Sequence, residues 1–94
     1  MFPFRKLEIW QKSHRAAIRT YQLTKLFPRD ERFGLTAQLR RAAFSIPSNI
    51  AEGSKPQTQR DFVHYINIAE GSAAEAGYLF ELSGDLSILT ASNA

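Results

Sequence analysis

Apolar residues recur every three or four positions through three stretches of this chain, separated by the segments around Pro28–Gly34 and Gly53–Pro56. That spacing puts each set on one face of a helix, since successive residues turn by roughly 100°. Leu7, Trp10, Ala17, Ile18 and Tyr21 form the first set and predict a helix from about Lys6 to Leu26. Pro28 disfavours the helical conformation for Phe27 and stops it. Arg29-Asp30-Glu31-Arg32-Phe33-Gly34 reads as a polar turn.

The second set is Leu35, Leu39, Ala42, Ala43, Ile46 and Ile50, on a helix ending at Gly53. Ser54-Lys55-Pro56-Gln57 is the next loop, and Thr58 is placed to cap a third helix with Asp61 three residues on. Phe62, Tyr65, Ile66, Ala69, Ala73, Ala76 and Phe80 give that helix its stripe and carry it to Leu82 or Ser83. No strand-like alternation exceeds a few residues, so the expected class is all-α. With 94 residues, positions 1–94 make one helical bundle domain.

Composition narrows the classes of function. The absence of cysteine excludes disulfides and thiolate metal sites, and it fits a cytoplasmic chain. No apolar run approaches the ~18 residues of a membrane span, and Met1-Phe2-Pro3-Phe4-Arg5-Lys6 lacks the order of a secretory signal. His14 and His64 stand apart, with no metal-ligand spacing, and no phosphate-loop, dinucleotide or serine-hydrolase motif occurs. No nucleophile–base pair can be singled out, so neither an enzyme nor a cofactor is expected.

The net charge of +3 has a spatial order. Arg5, Lys12, Arg15 and Arg19 fall within about 80° on the helical wheel, roughly opposite Trp10 and Tyr21. Arg40 and Arg41, with Arg29 and Arg32, add charge on or near the second helix. Such a stripe fits phosphate tracking, and equally the wet face of an amphipathic helix.

A different pattern marks the second helix. Gln38, Arg41, Ser45, Ser48, Asn49 and Glu52 share one arc beside the apolar one, and most of them are uncharged. That arc suits a hydrogen-bonded contact with another helix or subunit, while a kinked surface helix is the plainer alternative. Pro47 lies within the helix, removes one backbone donor and is expected to kink it. Gln38, Arg41, Ser45, Pro47, Asn49 and Glu52 are therefore candidate interface or structural residues. On the third helix, Ala69-Glu70-Gly71-Ser72-Ala73-Ala74-Glu75-Ala76-Gly77 is rich in small residues that would let another helix approach closely, offsetting the ~1 kcal/mol each glycine costs.

These segments resemble a known family. Phe27 through Ala42, followed by Ser45-Ile46-Pro47-Ser48-Asn49-Ile50-Ala51-Glu52-Gly53, is similar to the signature of the 23S rRNA intervening-sequence proteins. Leu7-Glu8-Ile9-Trp10-Gln11-Lys12, Asp61-Phe62 and Ile68 through Glu75 match it too, so the resemblance covers about residues 5–83. Members are similar to the accessory variability protein of diversity-generating retroelements, a pentameric bundle that binds nucleic acid and a reverse transcriptase. The resemblance implies an up-and-down four-helix bundle that forms a homo-oligomer, a pentamer by analogy, and transfers no catalytic residues. The family's fourth helix would begin after Gly84, where ten residues remain, so this chain is expected to carry three long helices and a truncated fourth. The expected function is non-enzymatic binding of RNA or DNA through Arg5, Lys12, Arg15, Arg19, Arg40 and Arg41. The alternative is a scaffold that docks a nucleic-acid enzyme such as a reverse transcriptase.

Overall fold

The computed structural model describes residues 3–55 and 57–88. Three helices account for most of them: α1 (Glu8–Thr24), α2 (Leu35–Gly53) and α3 (Gln59–Asp85). The described residues contain no strand, so the chain is all-α. Short 3-10 turns at Phe4–Lys6 and Arg29–Glu31 precede α1 and α2.

The helix starts differ in how they meet their unpaired amides. Thr58 accepts a hydrogen bond from the Asp61 N–H at 3.1 Å, the cap expected from the sequence. Gly34 has no side chain to cap α2, and the Glu31 carboxylate accepts from the Leu35 N–H at 3.1 Å instead. The helix expected from Lys6 begins only at Glu8, because Leu7 is extended (ψ 126°). Arg5 therefore lies on the 3-10 turn and not in phase with Lys12, Arg15 and Arg19.

The far end of α3 also departs from expectation. Gly84 lies inside the helix, and the stop comes three residues later at Ser87, with φ at +59°. The Ser87 N–H donates to the Gly84 carbonyl and the Ile88 N–H to the Ser83 carbonyl, the paired closure of a Schellman cap. Ile88 is thereby turned onto the core. Of the ten-residue tail expected to be too short for a full helix, Asp85 still belongs to α3, and residues 89–94 lie outside the described residues, as does Pro56 of the loop before α3.

Packing centres on α2. Both other helices lie against it, while the backbones of α1 and α3 do not approach each other. Phe27, Leu35 and Leu39 form the buried core at one end, joined by Leu79, Phe80, Leu82 and Ile88. At the other end α2 and α3 nearly touch, since a Cβ added to Gly53 would lie 3.2 Å from the Tyr65 Cβ. α2 ends at Gly53 as the sequence predicts, and a side chain there would have to displace Tyr65; no glycine among the described residues has positive φ. The expected close approach to Gly71 and Gly77 is also absent within the chain, for a Cβ at either would meet nothing within 4 Å. Ala69, Ser72 and Ala76 are the small residues of that segment that α3 buries.

Candidate nucleic-acid interface

The face of α1 toward α2 carries Ala17, Thr20 and Thr24, all buried. Lys12, Arg15 and Arg19 occupy the opposite side of the helix by its period, and all three are exposed. Lys12 pairs with Glu8 at 2.9 Å, but both side chains are wet, so the pair is weak and readily exchanged. Arg5 is exposed on its separate turn, its guanidinium 4.7 Å from the Phe4 ring centroid.

Arg40 and Arg41, adjacent in sequence, are held on different sides of α2. Arg40 turns toward α1, where its Nε donates to Thr24 Oγ1 at 2.8 Å and its guanidinium lies 4.7 Å from the Tyr21 ring centroid. Arg41 turns toward α3, donating to the Glu75 carboxylate at 2.6 Å and to Gln38 Oε1 at 3.3 Å. The 100° step between neighbours on a helix separates them, so the two do not form a joint phosphate clamp with the α1 stripe.

The uncharged arc of α2 meets α3. Ser72 donates to Ser45 Oγ at 2.9 Å, and the Asn49 amide donates to Ser45 Oγ at 3.1 Å and to the Ser45 carbonyl at 2.7 Å. Ser45 is thus the centre of a small network that fixes α2 against α3. Ser48 and Glu52 are exposed. Glu52 accepts from Lys55 at 2.7 Å, and that hydrogen bond raises the lysine's pKa above its ordinary value. Pro47 is buried and α2 continues through it, so the missing donor does not end the helix.

Two open features flank this frame. A groove of about 610 Å³ runs along α1 and α2, with Trp10, Ile18, Tyr21, Phe44 and Pro47 in its lining. Ile18 and Tyr21, expected in the core, are exposed here because α2 covers the Ala17–Thr20–Thr24 side of α1 instead. His14 is exposed and stacked on Trp10 with ring centroids 4.7 Å apart, and His64 is exposed beside Tyr65. No group of three or more metal-ligating side chains occurs among the described residues. A smaller notch of about 170 Å³ lies between α1 and α3, lined by Ile9, Ile46, Ile66 and Ala73 among others.

A model of the 23S rRNA-intervening sequence protein family matches residues 5–94. The chain belongs to that family. A search of curated proteins finds no match. The matched span includes the α1 stripe, the α2 network and the small-residue segment of α3, so the features above lie within the family's own region. None of the described helices is long and apolar enough to cross a membrane.

Sequence reasoning located the α1 stripe and the polar arc of α2 but did not single out Thr24, Lys25 or Thr36. Those three gather with Arg29, Arg32 and Arg40 around a cleft where α1 passes into α2. The signal was the spacing of Lys25, Arg29 and Arg32, which straddles Pro28 and so escapes a search confined to one helix.

Proposed function

We propose that this member of the intervening-sequence family is a non-enzymatic, oligomeric helical-bundle protein of the cytoplasm that binds RNA or DNA through a basic surface. The observation that carries the reading is the exposed Lys12–Arg15–Arg19 stripe, on the side of α1 opposite the buried Ala17, Thr20 and Thr24. Exposed cations at helical spacing attract a phosphate backbone and release its counterions, giving affinity that falls with salt.

The oligomer rests on the notch between α1 and α3. Both helices lean on α2 and leave Ile9, which is 58% exposed, at the mouth of a notch that Ile46 and Ile66 line half-buried. A fourth helix laid there would complete an up-and-down four-helix bundle, and a second chain would serve equally. A ring such as the pentamer of accessory variability proteins would repeat the α1 stripe and enlarge the positive field.

Light scattering with and without a structured RNA, at low and high salt, tests both parts. A discrete oligomer that gains RNA mass only at low salt is the expected result. Charge reversal at Arg15 and Arg19 should abolish that gain; unchanged affinity and salt slope would refute the assignment. The alternative, docking of a nucleic-acid enzyme such as a reverse transcriptase, is favoured by the aromatic groove between α1 and α2. An oligomer indifferent to RNA would turn the reading that way.

A further inference from the structure

α1 ends at Thr24, short of the expected Leu26, and the chain turns past Pro28 and through Arg29–Glu31 before α2 begins. This turn encloses a cleft of about 310 Å³, near the lower bound of small-ligand pockets at ~300 Å³. Its lining holds four cations, Lys25, Arg29, Arg32 and Arg40, and no carboxylate. The two acids of the turn are placed otherwise. Glu31 is engaged with the Leu35 N–H, and Asp30 is exposed but outside the lining.

Two members of the lining are organised in advance. Arg40 is fixed at its Nε by Thr24 and across its face by Tyr21, and its terminal amino groups have no hydrogen-bond partner among the described residues. A guanidinium held this way loses little freedom on meeting an oxyanion. Thr36 is the second. It is only 7% exposed, its hydroxyl makes no hydrogen bond among the described residues, and it lines the cleft. No fully buried side-chain oxygen or nitrogen among the described residues lacks a partner, so this hydroxyl is open to the cleft and free to donate into it beside the four cations. Its backbone N–H also belongs to the first turn of α2, where helix amides favour an anion.

We propose that this cleft binds the phosphate of one nucleotide, with Arg40 and Thr36 as its inner donors and Arg29, Arg32 and Lys25 as its exposed cations. Phe27 and Pro28 supply the apolar wall for the sugar. The assignment rests on the nucleic-acid reading for its natural source, a backbone phosphate of a single strand. The same chemistry would accept a free nucleotide.

The experiment is titration of the intact protein with inorganic phosphate, uridine 5′-monophosphate, uridine and a single-stranded RNA, followed by amide NMR. Phosphate and the monophosphate should shift the Thr36 and Arg40 signals, and uridine should not. Thr36→Val removes a hydroxyl without an internal partner, so it should leave the melting temperature unchanged while weakening monophosphate binding several-fold. Arg29→Glu with Arg32→Glu, both on exposed side chains, should abolish binding and lower the RNA salt slope by about 0.7 for each phosphate no longer neutralised. Monophosphate binding unaltered in both variants would overturn the cleft. RNA binding with unchanged affinity and slope in both variants would also overturn it, while sparing the α1 stripe. Monophosphate binding at the cleft without RNA binding at any salt would sink the nucleic-acid reading and leave a small-phosphate site.

Discussion

Arg41 on α2 and Glu75 on α3 meet at 2.6 Å across the helix pair, with both side chains still partly in water. Solvent screens such a pair, so its net contribution is about 0.5 kcal/mol despite the short distance. Arg41→Ala and Glu75→Ala are each expected to lower the melting temperature by only a few degrees. A double-mutant cycle should return a coupling of the same small size, and a coupling above about 2 kcal/mol would mean the pair is shielded by a further chain.

Gly71 and Gly77 should respond oppositely to alanine. Neither has a neighbour within 4 Å of an added Cβ, so in an isolated chain both changes would stabilise α3 by about 1 kcal/mol. Gly77, however, lies four residues beyond Ala73 of the notch and shares its side of the helix. Gly71→Ala is expected to raise the melting temperature, and Gly77→Ala to lower it or dissociate the proposed oligomer. Equal stabilisation by both would leave the notch uncovered.

Ser87 holds a left-handed conformation that a side chain disfavours by roughly 1–2 kcal/mol. Ser87→Gly removes that strain and returns part of the gain as greater freedom of the unfolded chain. Denaturant unfolding should show a net stabilisation of about 0.5–1 kcal/mol.

Leu39 is fully buried at the centre of α2. Leu39→Ala leaves a cavity that costs about 2–5 kcal/mol. A domain of this size has little stability to spare, and circular dichroism should show the variant largely unfolded at 37 °C.

Much of the frame was legible because local rules and packing agreed. The first helical run closes before Pro28, Thr58 caps the third helix, and five of the six apolar positions named for α2, all but the half-buried Ile46, are buried. The failures came where tertiary packing chose between locally equal options. Leu7 fits the helical period yet is extended, and Gly84 permits a stop yet remains helical. Arg40 and Arg41 look equivalent in sequence, but one meets Thr24 on α1 and the other Glu75 on α3. The cleft was hidden because its residues come from two helices and the turn between them. The exposure of Ile18 and Tyr21 depends on the angle at which α1 lies on α2, which a helical wheel does not contain.

Because the backbones of α1 and α3 pack on α2 and do not approach each other, the molecule is two helical hairpins that share an arm. Every helix pairing then joins sequence neighbours, a topology of low contact order that favours rapid folding. Either outer helix can unzip while the opposite hairpin stays closed, whereas α2 cannot leave without breaking both. Local opening is thus graded by position in the chain, with the middle helix the last to exchange its amide hydrogens.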